Sequence, residues 1–255
     1  MPRTSAGAEI KNSGNSTWRL TIPKGSKSTY RLAQLDDYMQ SPRAKFRWEP
    51  PVRVQLSARV SRMDHKGTWG FGFWNDPFSM NLGLQGTSRR LPDLPNTAWF
   101  FFASPENHLA IRETLPGNGM LSAVFSSAQA SLPLRAFAGV FMPLAFSGLT
   151  SGLLRKILKR LINEDAIQIN KKWEEWQQFS INWLSDKVKF SIDGNICHEC
   201  KISPQGKLGF LIWMDNQFAS FAPRDRLKFG TLETFQETSL EIKDLSINPI
   251  NLGLD

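Results

Sequence analysis

The sequence predicts an all-β sandwich carrying one helical insertion, and three observations predict it. Apolar and polar residues alternate with period two from Thr17 onward, the signature of half-buried strands. Roughly ten short runs rich in β-branched and aromatic residues are separated by Pro/Gly turns. No alternation of strands with helices appears, which argues against a doubly wound fold.

Residues 1–16 are polar and rich in Gly, Ser and Asn, so they read as a flexible N-terminal tail or an edge segment. Residues 17–255 read as a single domain, since all-β sandwiches often reach this length as one unit. Val52, Val54, Leu56, Ala58 and Val60 alternate with Arg53, Gln55, Ser57 and Arg59, a half-buried strand. Phe179, Ile181 and Trp183 repeat the pattern, as do Val188, Phe190 and Ile192, with Ser185-Asp186-Lys187 as the turn between them. A second turn is expected at Asp193-Gly194-Asn195. Further strands are expected at 69–75, 97–103, 120–125, 195–202, 207–215 and 227–235, and a last one from Ser239 to Ile247 with a bulge near Asp244.

One region breaks the period. Ala136 to Leu154 carries no charge, and Leu153, Leu154, Ile157, Leu158, Leu161 and Ile162 then repeat at helical spacing. Arg155, Lys156, Lys159 and Arg160 are expected on the opposite face, giving a basic amphipathic helix within an insertion at about 132–163. Such a segment fits a lid packed on the sandwich or an interfacial contact with anionic lipid better than a membrane span inside a β fold.

Nine Trp and eighteen Phe stand against two Tyr, an aromatic load that favours both strands and sites for flat ligands. The net charge of +8 favours acidic partners such as a membrane surface. Nucleic acid is not expected, because the basic residues are scattered and no recognition motif accompanies them. The N-terminal stretch lacks the apolar core of a signal peptide, and two cysteines make no disulfide scaffold, so the expected location is cytoplasmic with peripheral membrane contact allowed.

Trp176 to Gly194, WQQFSINWLSDKVKFSIDG, resembles a hairpin of the concanavalin A-like lectin/glucanase superfamily, in its laminarinase-type and laminin-G-like members. Gly206 to Gln217, GKLGFLIWMDNQ, and the terminal SLEIKDLSI are similar to the strands that follow that hairpin. The stretches GTWGFGFWNDP and LPNTAWFFFASP also resemble a bacterial family that implies no activity. The superfamily resemblance implies a concanavalin A-like jelly roll and a sugar-binding face. Laminarinase-type hydrolases carry a Glu-x-Asp-x-x-Glu run whose carboxyls sit about 5 Å apart for retaining chemistry. The sequence has no such run, and its paired acids Glu164-Asp165 and Glu174-Glu175 are expected in helix or loop.

Two segments share the spacing Gly-Phe-x-x-Trp-x-Asp: Gly70 to Asp76 and Gly209 to Asp215. Alternate strand positions share a face, so Trp74 with Asp76, and Trp213 with Asp215, would line one surface. A ring for C–H stacking beside a carboxylate suits a sugar, with Gly72 letting the ligand approach the backbone. Asn75, Asn216 and Trp99 complete this candidate ligand set. The same pattern also fits core tryptophans followed by turn-opening aspartates. Asp76 and Asp215 are the candidate catalytic acids, although nothing in the sequence selects them over Glu49 or Glu106. His65 and His108 read as exposed loop residues.

Cys197-His198-Glu199-Cys200 is a lone CxxC whose cysteines would point to opposite faces of a strand, so neither metal nor other cofactor is expected. Two functions fit: a lectin-like or glycan-processing face, or binding and conversion, such as cyclisation, of an isoprenoid or lipid beneath the insertion.

Overall fold

A computed structural model describes residues 1–14, 16–77, 93–127, 148–223 and 225–250, with the backbone alone at 148–150. In chain order its strands begin with β1 (Pro2–Ser5), β2 (Glu9–Asn12), β3 (Trp18–Ile22), β4 (Leu32–Asp36) and β5 (Val52–Val60). They continue with β6 (Thr68–Trp74), β7 (Thr97–Ala103) and β8 (Gly119–Ser126). The helix α1 (Gly148–Leu161) then precedes β9 (Asn163–Gln168), β10 (Gln177–Trp183), β11 (Val188–Ile192) and β12 (Asn195–Cys200). The remaining strands are β13 (Gly209–Asp215), β14 (Gln217–Ser220), β15 (Lys228–Thr231) and β16 (Thr238–Pro249).

These strands build a jelly-roll β-sandwich of two seven-stranded antiparallel sheets. Sheet I runs β1-β4-β13-β6-β7-β8-β9, sheet II runs β12-β11-β10-β5-β16-β3-β2, and β14 and β15 pair apart from both. In sheet II the alternation of β5 turns Val52, Val54, Leu56, Ala58 and Val60 inward and leaves Arg53 exposed. The hairpin β11–β12 closes on Asp193 and Gly194, both at positive φ, as a turn between twisted strands requires. The bulge in β16 falls between Lys243 and Ser246, with Asp244 at φ 56°.

The core lies between the sheets and is largely aromatic. Phe71 meets Phe179 edge to face at 5.1 Å, and Phe100 meets Phe190 likewise at 5.1 Å. Such pairs add about 0.5–1.5 kcal/mol each beyond the area they bury. Sheet I differs from sheet II in burying its other face as well. Leu121, Ala123 and Phe125 of β8, Phe101 of β7 and Leu211 of β13 turn outward into a second cluster. Leu154, Leu158 and Ile162, from α1 and the residue after it, belong to that same cluster.

Three expectations are corrected. Of the two readings of the N-terminal stretch, the edge segment replaces the flexible tail: β1 pairs with β4 and β2 with β3, one at an edge of each sheet. Glu164 and Asp165 belong to strand β9, because their alternation places Glu164 beside Phe125 on the outer face and Asp165 beside Val124 on the inner one. Arg155 is not on a solvated face of the helix. It is 5% exposed, donates to the carbonyls of Ala110 and Ile111, and lies 4.3 Å over the Phe221 ring. Leu153 and Ile157 are exposed instead. Residues 132–147 of the expected insertion lie outside the described residues. No helix among the described residues is long and apolar enough to cross a membrane.

Candidate functional site

The outer face of sheet I gathers three of the sequence-nominated tryptophans. Trp99 of β7 lies 5.9 Å from Trp74 of β6 and 5.3 Å from Trp213 of β13, ring centre to ring centre. Glycines make the room. In register, Trp74 faces Gly209, Trp99 faces Gly72 and Trp213 faces Gly70. A Cβ at Gly72 would stand 2.5 Å from the Trp99 Cβ, and one at Gly70 would stand 2.8 Å from Trp213 Cη2. The space above Gly72, read from sequence as an approach for ligand, is therefore filled by Trp99 itself.

The three indoles differ in their bonding. Trp213 Nε1 donates to Thr68 Oγ1 at 2.8 Å, and that hydroxyl donates to Asp215 Oδ1 at 2.8 Å. Among the described residues, the buried indole N–H groups of Trp74 and Trp99 meet no acceptor, and buried Asn96 Oδ1, one residue before the β7 partner of Trp74, meets no donor. An unpaired buried polar group costs about 1–3 kcal/mol, so these atoms are the unsatisfied part of the face.

Asp215 is 5% exposed and accepts from the Thr68 hydroxyl and amide, the Gln217 amide and the Tyr30 hydroxyl. Burial pushes its carboxyl up to about 6 despite those donors. His65 packs beneath it, 3% exposed, with Nε2 2.7 Å from the Asp215 carbonyl oxygen. Desolvation holds this imidazole down at about 4, and the expected exposed loop position is corrected to a buried one.

The asparagines hold chain together. Asn75 donates to the Leu94 carbonyl and accepts from the Asn96 amide. Asn216, fully buried, accepts from the Arg31 amide and donates to the carbonyls of Thr29 and Leu232. Asp76 sits at φ 48°, with its carbonyl and that of Asn75 both bound by Arg43. Thr68 and Tyr30, which sequence reasoning missed, complete the Asp215 network. Thr68 opens β6 beside the nominated glycine-aromatic run, but its pairing with Asp215 is a register fact.

At the rim of the face, Glu164 accepts from the amides of Ile111 and Arg112, while Arg155 binds the carbonyls of Ala110 and Ile111. Lys159 reaches Glu113 at 3.1 Å, and Lys156 and Arg160 are exposed. Elsewhere an open depression of about 540 Å³ lies between Arg47, Trp48, Glu49 and Pro249. There Arg47 covers one face of Trp48 at 4.7 Å and Asp37 takes its N–H, so that ring is already engaged.

No protein-family model matches the chain, and no curated protein matches it. Solved structures resemble it in outline. A beta-glucanase of Bacillus licheniformis is 6% identical, with TM-score 0.47, over 98% of this chain and 92% of its own. A beta-1,3-glucanase from Mycobacterium marinum is 8% identical, with TM-score 0.47, over 94% of this chain and 77% of its own. A sialidase aligns over 98% of this chain at 8% identity and TM-score 0.46, and the chain spans 17% of that protein's length. Likeness at this level gives no residue a role.

Proposed function

We propose that the outer face of sheet I binds a carbohydrate over Trp74 and Trp99. The observation that carries this reading is the tryptophan row, in which the Trp74 and Trp99 rings are half-buried and their N–H donors meet no acceptor among the described residues. A sugar supplies C–H faces for the half-buried rings of Trp74 and Trp99. Asp215 supports the row through Thr68 and Trp213 rather than meeting ligand, since four donors already address its carboxylate. This is a binding reading and assigns no catalytic residue.

A glycan array with tryptophan fluorescence as the second readout tests it. Binding should quench the emission, and W99A should weaken it about 30-fold, the loss of a contact near 2 kcal/mol. A folded W74A/W99A double variant that binds as well as the parent protein would remove the site.

One observation favours a second contact. Leu153, Lys156, Ile157 and Arg160 form an exposed apolar and basic stripe along α1, at the spacing of an interfacial helix. Vesicles with anionic lipid should sediment the protein in low salt, neutral vesicles should not, and L153E/I157E should abolish the effect. Equal binding to both vesicle types by parent and variant would dismiss the stripe.

A further inference from the structure

The sandwich has a second cluster of chemically capable side chains, on the side away from the tryptophan row. His198 and Cys200 stand two apart on β12, so they share a face of sheet II. Asp165 reaches them from β9 of sheet I. Both strands are the outermost of their sheets, so the three residues meet where the two layers end together. We propose that Asp165, His198 and Cys200 form a binding site for a divalent transition ion of the zinc class, bridging the two sheets.

The geometry suits that chemistry. One ligand atom from each residue lies within 4.8 Å of the others, and His198 Nε2 is 3.2 Å from Asp165 Oδ2. A tetrahedral ion with bonds of about 2.0–2.3 Å separates its ligands by about 3.3–3.8 Å, so the nitrogen and oxygen are nearly placed and the sulfur has about an ångström to close. Ser122 Oγ holds His198 Nδ1 at 3.0 Å, and Phe190 stacks on the ring at 5.4 Å. A partner on Nδ1 that leaves Nε2 for the metal is the usual outer shell of a ligating histidine.

Cys200 is prepared from its other side. The Ile202 amide donates to its Sγ at 3.3 Å, an interaction that strengthens as the sulfur gains charge. Binding exchanges the thiol proton, released to solvent, for a metal–sulfur bond. Thiolate and carboxylate together then neutralise a divalent ion. Sulfur and imidazole favour zinc or cobalt over magnesium or calcium, which prefer oxygen alone. Asp165 is 38% exposed at its side chain, which gives the ion an entry and leaves a fourth position for water. Cys197 takes no part: its Sγ faces the Phe190 carbonyl at 3.4 Å.

Titration of the reduced full chain with cobalt(II) decides the matter. The expected result is one ion per chain, a thiolate-to-cobalt charge-transfer band and displacement by zinc. C200S should lose the band, C197S should keep it, and S122A should keep it at about 10–100-fold lower affinity. D165N, altered at a half-exposed position, should also weaken binding and covers the case in which C200S does not fold. Zinc at a hundredfold excess over its Kd should raise Tm by about 5–10 °C. A reduced parent protein with no cobalt–thiolate band, or a band that persists in C200S or vanishes in C197S, overturns the site.

Discussion

Replacing Gly72 by valine is expected to destabilise the fold by about 3 kcal/mol or more, the upper range of overpacking with backbone strain added. Gly72 sits at φ 155°, and its absent Cβ leaves the place where Trp99 lies against β6. Any side chain there must move the β7 backbone as well, since the Trp99 Cα would stand 2.6 Å away. For a chain of this length the loss corresponds to a fall in Tm of about 6–12 °C. Thermal and urea unfolding of G72V measure it. A fall no larger than that of a surface substitution would show that the tryptophan row does not depend on this close approach.

The second large effect is one of pH. Asp215 is pushed up to about 6 in the folded protein, against 3.8 when unperturbed. Between those values the folded state keeps a proton the unfolded chain has lost, so this group's stabilisation declines as pH rises through the window. His65 acts in the opposite sense. Its folded value of about 4 lies below the ordinary 6.5, so the unfolded chain holds the extra proton and stability rises with pH between the two. The two contributions oppose each other between about pH 4 and 6 and largely cancel there, each worth about 2–3 kcal/mol over the window. D215N removes one of them. The variant should therefore gain about 2–3 kcal/mol more than the parent protein on going from pH 4 to pH 6.5, read from urea midpoints at the two values. Parallel profiles for parent and variant would mean that Asp215 titrates as it does in the unfolded chain.

Sheet II was legible in the sequence because water covers one of its faces. In β5, β10 and β11 the exposed or half-buried positions are polar, and the alternation marks both the strand and the side it turns inward. Sheet I was harder to read for the converse reason. With Trp99 and Phe101 outward and Phe100 and Phe102 inward, both faces of β7 are covered by apolar neighbours and the period disappears. Its position as a strand could be read, but whether Trp99 belonged to core or site could not.

The candidate site shows the same boundary. The Gly-Phe-x-x-Trp-x-Asp echo brought Trp74 and Trp213 to one face, while the engagement of Asp215 by Thr68 and Tyr30 depends on strands distant in the chain. The CxxC spacing puts its two cysteines on opposite faces of a strand, whereas His198-x-Cys200 shares one face. Asp165, from the neighbouring sheet, had no local signal at all. Helical periodicity alone points Arg155 to solvent, and it does not register that Ala110 and Ile111 offer it two carbonyls.

The order of strands in sheet II also governs how the chain reaches its native state. β3 and β5 are not neighbours: β16 lies between them, and β5 finds its other partner in β10. Sheet I has the same character, with β13 inserted between β4 and β6. Neither layer closes until segments far along the chain have been made, so most pairing carries a large loop-closure entropy and the topology belongs to the slow-folding class. In the interval, β4 and the aromatic strand β6 each stand with an edge that only β13 will pair, and self-association competes with folding. The exposed charges of Arg53 and its neighbours on sheet II oppose that side reaction while the chain waits for β16.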